Sequence, residues 1–113
     1  MVSGRYIPER GDVVWVDFSP RRGHEQANRR PAVVLSRNPY NSRSGLVLLC
    51  PITSRAKGYP FEVEIRDSSL AGVALVDQIS TFDWHARELR FIKRLSASVL
   101  RNIQKKAIVL IAG

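Results

Sequence analysis

The sequence predicts a mainly β fold with one C-terminal helix, the strands curled into a small barrel. Two observations carry this. Short apolar runs, some continuous and some alternating, are separated by loops rich in Gly, Pro, Asn and Ser. Residues 96–113 then change to a helical period. Short strands of this kind solve their edge problem best by closing on themselves, with the helix over an open side.

"GDVVWVDF" (11–18) is the first strand, with Val14, Val16 and Phe18 on one face and Val13, Trp15 and Asp17 on the other. Residues 19–30 form a long polar loop. "PAVVLS" (31–36) is a buried strand with Pro31 at its entrance. "RNPYNSRSG" (37–45) has turn chemistry and one helical turn after Pro39. "LVLLCPI" (46–52) is a second buried strand, and "TSRAKGYP" (53–60) another polar, basic loop. "FEVEIR" (61–66) alternates, with Phe61, Val63 and Ile65 inward and Glu62 and Glu64 outward. "GVALVDQI" (72–79) is a strand, "FDWHA" (82–86) a turn or short helix, and "LRFIKRL" (89–95) a less regular strand. The helix carries Val99, Leu100, Ile103, Ala107, Leu110 and Ile111 as its apolar stripe, with Ser96 or Ser98 as its cap.

The length of 113 residues predicts one domain, 1–113. No apolar run nears the ~18 residues of a membrane span. The start "MVSGRYIPERGD" lacks a signal-peptide core, so a cytoplasmic protein with no membrane partner is expected. Cys50 is the sole cysteine, which excludes an internal disulfide; its setting, "LVLLC", suits a core residue.

Charge is unevenly spread. The net +8 divides into −1 for residues 1–18, +7 for 19–58, −4 for 59–86 and +6 for 87–106. Most of the basic residues are arginines, whose planar fork suits phosphate oxygens. Two basic blocks around an acidic one point to a polyanion surface, with nucleic acid the obvious candidate.

"GHEQANRRP" (23–31) concentrates the ionisable chemistry. In a meander, the loops after the first and third strands emerge at one end, which brings Arg30 near Thr53. His24 and His85 are the only histidines and no spacing resembles a zinc site, so no metal and no cofactor are expected. What remains is His24, Glu25, Arg29, Arg30 and Thr53, beside Ser54, Arg55 and Lys57. That set suits metal-free phosphodiester chemistry on RNA, which brings its own 2′-hydroxyl nucleophile. Arginine and a threonine hydroxyl can stabilise a phosphorane, and a carboxylate or imidazole can move protons. Plainer readings stand beside it. Arg30 and Glu25 make a surface ion pair, Thr53 ends a strand, His24 is solvated, and Trp15 and Trp84 are core or interface residues.

These residues also carry a resemblance. "GDVVWVDFSPRRGHEQANRRPAVVLS", "CPITSRAKGYPFEV" and "GVALVDQISTFDW" resemble, in order and spacing, three signatures of the MazF/PemK toxin endoribonucleases. The likeness runs from about residue 6 to the C-terminal helix. It implies an SH3-like β-barrel of the PemK/CcdB-like toxin fold, usually a homodimer. It implies metal-independent, sequence-selective cleavage of single-stranded RNA to 2′,3′-cyclic phosphate and 5′-hydroxyl ends, inhibiting translation. The RNA would be mRNA, with rRNA and tRNA as further candidates. A cognate antitoxin with an acidic, disordered tail is implied as well.

By this resemblance the catalytic arginine falls on Arg30, the catalytic threonine on Thr53 and the loop glutamate on Glu25. His24 stands where the family often has serine, so proton transfer is open among His24, Glu25 and Arg30. RNA-binding candidates are Arg29, Ser54, Arg55, Lys57, Arg21, Arg22 and Gln78, with Arg43 a further phosphate contact. The alternative from another class is a CcdB-like toxin that binds gyrase without cleaving RNA.

Overall fold

The computed structural model describes residues 6–18, 29–67 and 69–113. Seven strands and two helices run in the order β1 (Asp12–Asp17), β2 (Arg29–Val34), α1 (Asn38–Ser44), β3 (Leu46–Thr53), β4 (Glu62–Asp67), β5 (Leu70–Leu75), β6 (Ser80–Asp83), β7 (Arg90–Arg94) and α2 (Ala97–Ala112). All pair antiparallel in the spatial order β4-β5-β3-β2-β1-β7, with β6 also on β3.

The central strands are buried on both faces. Val13, Val33, Cys50, Ile52, Val63, Ile65, Ala74 and Ile103 of α2 form one cluster. Val14, Val16, Ala32, Val34, Val47 and Leu49 form the other, under Trp84. Two-sided burial explains why β1 to β3 read as continuous apolar runs. β4 alternates because its outer face is bare: Val63 and Ile65 are buried while Glu64 is exposed.

Several expectations change. The meander holds only through β3. Ile52 and Thr53 of β3 pair with Ala74 and Val73 of β5, and β3 does not neighbour β4. The strand expected over 72–79 ends at Leu75, because Val76–Gln78 form a 3₁₀ turn. That turn moves the chain along one edge of β3, from the half paired with β5 to the half paired with β6. Ser80–Asp83, half of it read as turn, is therefore a strand opposite Leu46–Leu49. β2 begins at Arg29, so Pro31 lies inside the strand, opposite Trp15. α1 is a full two-turn helix, closed by Gly45 in the left-handed conformation (φ 75°). On α2, Ser96 caps by accepting from the Val99 amide and Ile103 is fully buried. Leu110 and Ile111, expected on the buried stripe, are instead exposed at 43% and 80%. The apolar packing against the sheet ends at Ala107.

Lys93 of β7 pairs with Asp67 at the end of β4, joining the two edges of the sheet through side chains. The Lys93 ammonium, with the Ser69 amide, holds the Asp67 carboxyl below its usual range.

The strand-opening "GD" is explained by Asp12, only 4% exposed. Its carboxylate accepts from Tyr6 Oη (2.5 Å), the Glu9 amide (3.0 Å) and Arg94 Nη1 (2.8 Å). Asp12→Ala is expected to cost about 2 kcal/mol by urea unfolding, since it removes a buried acceptor from three part-buried hydrogen bonds.

Glu9 supplies a cap from outside the helix. Its Oε1 accepts from the Asn38 amide at the start of α1 (2.7 Å) and from the Arg10 amide (2.9 Å). The Asn38 bond leads in holding the Glu9 carboxyl below its ordinary value. A depressed folded pKa stabilises above the unfolded value and loses that stabilisation as pH falls. Glu9→Gln is therefore expected to melt earlier than the parent at neutral pH. The gap should close below about pH 4 in thermal scans.

Candidate active site

The start of β2 and the end of β3 lie at the same end of their shared ladder. β2 pairs with β3 at Ala32↔Pro51, Val33↔Cys50 and Val34↔Leu49. Two residues further on each strand are Arg30 and Thr53, so continuing the register sets them opposite each other. Alternation puts Arg30 on the face of Ala32 and Val34, and Thr53 on that of Leu49 and Val47. Both therefore belong to the Trp84 face. Both are half-buried.

Arg30 sits opposite Val16 of β1, and its guanidinium carbon lies 6.0 Å from the Phe18 ring centroid. Among the described residues no carboxylate pairs with it. An arginine beside an aromatic ring, without a described counter-charge, is suited to an anionic ligand.

Thr53 Oγ1 accepts from the Arg55 amide at 3.2 Å. With one lone pair engaged there, the hydroxyl keeps its proton to donate to a ligand. The backbone behind Thr53 is crowded. A Cβ on Gly72 of β5 would lie 2.5 Å from the Thr53 carbonyl oxygen, so β5 can approach only without a side chain there. Gly72 was not among the residues singled out from the sequence. The available signal was a glycine opening an apolar strand, a mark of close backbone approach.

The 54–61 loop is anchored by Glu62, whose carboxylate accepts from the amides of Lys57 (3.1 Å) and Gly58 (3.0 Å). Ser54, Arg55 and Lys57 are exposed around Thr53. Arg29 is sequence-adjacent to Arg30 but points to the opposite face. Its guanidinium lies 5.9 Å from the ring of Trp15, which is 40% exposed. Trp84 is buried and donates its indole N–H to the Asn41 carbonyl (2.9 Å).

Gln78 is exposed in the 3₁₀ turn beside the middle of β3, between the levels of Ile52 and Leu49. Arg43 is not near Thr53. It lies on α1, at the other end of β3. His24, Glu25, Arg21 and Arg22 lie outside the described residues. Cys50 is fully buried, and burial pushes its thiol up to about 12, so it is a core residue. No group of metal-ligating side chains occurs among the described residues, and no described helix is long and apolar enough to cross a membrane.

The arrangement offers a guanidinium and a threonine hydroxyl on one sheet face, rimmed by exposed basic loop residues. Comparison with known proteins gives this geometry a context. Residues 9–111 match the family described as PemK-like, MazF-like toxin of type II toxin-antitoxin system. The chain belongs to the PemK/MazF toxin family. It is 47% identical over 111 residues to the endoribonuclease toxin MazF of Escherichia coli strain K12, covering 98% of this chain and 99% of that protein. It is 36% identical over 107 residues to endoribonuclease MazF9 of Mycobacterium tuberculosis, covering 85% and 89%. The crystal structure of MazF from Deinococcus radiodurans superposes with a TM-score of 0.87 at 43% identity, covering 96% of this chain and all of that one. A MazE–MazF structure from the same organism gives 0.84 at 38% identity, covering 96% and 98%. Within this PemK/MazF toxin fold, the antiparallel sheet and C-terminal helix are shared with the solved toxins, and the Arg30–Thr53 end is held by β2, β3 and the glycine of β5.

Proposed function

We propose that this chain is an endoribonuclease toxin that cleaves single-stranded RNA by metal-independent transesterification and is held inactive by a cognate antitoxin. The observation that carries the reading is the β2–β3 register ending at Ala32↔Pro51, whose continuation would bring Arg30 and Thr53 together, in a chain 47% identical to an endoribonuclease toxin. The 2′-hydroxyl of the RNA attacks the adjacent phosphorus, the bond to the 5′-oxygen breaks, and a 2′,3′-cyclic phosphate and a 5′-hydroxyl result. Arg30 stabilises the added charge on the phosphorane, and Thr53 donates to a non-bridging oxygen. A guanidinium is a poor general base at neutral pH. Proton transfer from the 2′-hydroxyl is therefore assigned to residues 23–28, with Glu25 and His24 as candidates. Arg55, Lys57 and Ser54 hold flanking phosphates.

Digestion of a long RNA in EDTA, followed by sequencing of its 5′-hydroxyl ends, tests the reading. Retained cleavage at a recurrent short motif supports it. Cleavage that stops with chelator, or ends bearing 5′-phosphate, overturns the chemistry.

Two partners complete the proposal. MazF of D. radiodurans has been solved with MazE, and an antitoxin with an acidic tail suits the basic blocks here; its affinity should fall with salt. A homodimer is supported by the end of α2, where Ile108, Val109, Leu110 and Ile111 leave a cluster of apolar surface exposed. Light scattering of Ile111→Asp tests it, because a charge in that surface should give monomers if a second copy covers it.

A further inference from the structure

Arg43, removed from the neighbourhood of Thr53 by the fold, lines an open cleft of about 340 Å³ with Ser42, Ser44, Gly45, Asp83 and His85. The cleft lies between the C-terminal end of α1 and the turn after β6. It sits at the Leu46 end of β3, whose eight residues separate it from Thr53 by on the order of 20 Å. We infer that this cleft is a second contact for the same single-stranded RNA, holding one nucleotide several positions from the cut. The inference rests on the RNA-cleaving function proposed above.

The cleft has the parts a nucleotide needs. Arg43 is exposed, and no described carboxylate pairs with it, so it can meet a phosphate beside the Ser42 hydroxyl. The His85 ring is fixed edge-on against Trp84, with centroids 4.3 Å apart, and its own edge faces Gly45. It gives a base a flat wall on which to stack. Asp83, an acidic group in an anion site, has its own place. Its Oδ1 is occupied by the amides of His85 (3.0 Å) and Ala86 (3.1 Å). No bond from a described residue reaches Oδ2, which can accept from the exocyclic amino group of a base.

A path connects the cleft to Arg30. The Arg30 guanidinium lies 6.0 Å from the Phe18 ring, Phe18 and Phe82 meet at 5.0 Å, and the Arg87 guanidinium lies 4.9 Å from Phe82. Arg87 Nη1 also donates to the Asp17 carbonyl at 2.8 Å, tying the 84–88 turn to the end of β1. Two guanidinium groups, of Arg30 and Arg87, thus flank the packed Phe18–Phe82 ring pair between Arg30 and the turn that bears His85. A line of positive charge of this kind tracks the backbone of a single strand.

The test compares a short RNA that just spans the cleavage motif with versions extended on the 5′ or the 3′ side. One extension is expected to raise the wild-type kcat/KM by roughly 5–20-fold, the lower part of the range for one stacked base. In the Arg43→Ala/His85→Ala double variant the long-to-short ratio should fall to near one. Arg43→Glu, which leaves the Trp84–His85 contact intact, should lower the ratio as well. The inference is overturned if wild type cleaves the short RNA but gains nothing from either extension, or if the variants keep the gain. It is also overturned if they weaken antitoxin binding and leave the RNA ratio unchanged. No cleavage of any RNA would instead remove the proposed function, and this subsite with it.

Discussion

Arg30→Ala is expected to lower single-turnover RNA cleavage by about 10²–10³-fold, with little change in melting temperature. The side chain lies at the rim of the sheet and has no described ion-pair partner, so its removal leaves no stranded charge. Arg30→Lys should recover only part of the loss, because an ammonium cannot span two phosphoryl oxygens as a guanidinium does. Thr53→Ala should cost about 10²-fold through the lost donor, and Thr53→Ser should restore most of it. Rapid-quench measurement on a short RNA separates these effects from product release. Near-wild-type rates in Arg30→Ala would remove the guanidinium from the mechanism.

The second large effect is at a residue that never touches RNA. Gly72→Ala places a Cβ 2.5 Å from the Thr53 carbonyl oxygen, a distance that backbone cannot tolerate. β3 and β5 must separate locally, and the Thr53 hydroxyl moves with its strand. A shift of about 1 Å at a catalytic group can cost on the order of 10² in rate. Cleavage should therefore fall by about that factor. The variant should still fold, since β5 remains paired with β4 along its length. A normal rate with an unshifted Thr53 amide signal by NMR would show that the crowding is relieved elsewhere. A pairing of lost rate with a displaced Thr53 signal would mark Gly72 as a positioning residue.

Much of this was legible in the chain. β4 was plain because one bare face forces strict alternation, as Val63 and Ile65 against Glu64 show. The expectation that Arg30 lies near Thr53 assumed a meander, and the fourth strand does not neighbour the third; what the structure adds is a β2–β3 register that runs toward both residues. The 70–83 segment was not legible. Two short strands and a 3₁₀ turn share one edge of β3 there, and the apolar pattern does not change where the chain passes from β5 to β6. The end of α2 misled for a related reason. Its apolar stripe continues past the last residue that the sheet can cover, so periodicity alone assigned Leu110 and Ile111 to the core. Gly72 stayed hidden because its role depends on a backbone contact with residue 53, and no local pattern records that contact.

The opposed directions of Arg29 and Arg30 have a consequence for how such a site tolerates change. β2 is held by its pairs with β1 and β3. A slip of β2 by one residue against β3 would place Arg29 on the Trp84 face and turn Arg30 toward Trp15. Composition, net charge and the doubled arginine would all be unchanged, yet Thr53 would face the other guanidinium, one position out of line. The identity of the working arginine is thus held by parity along a strand, and Pro31, facing Trp15, helps to fix where counting starts.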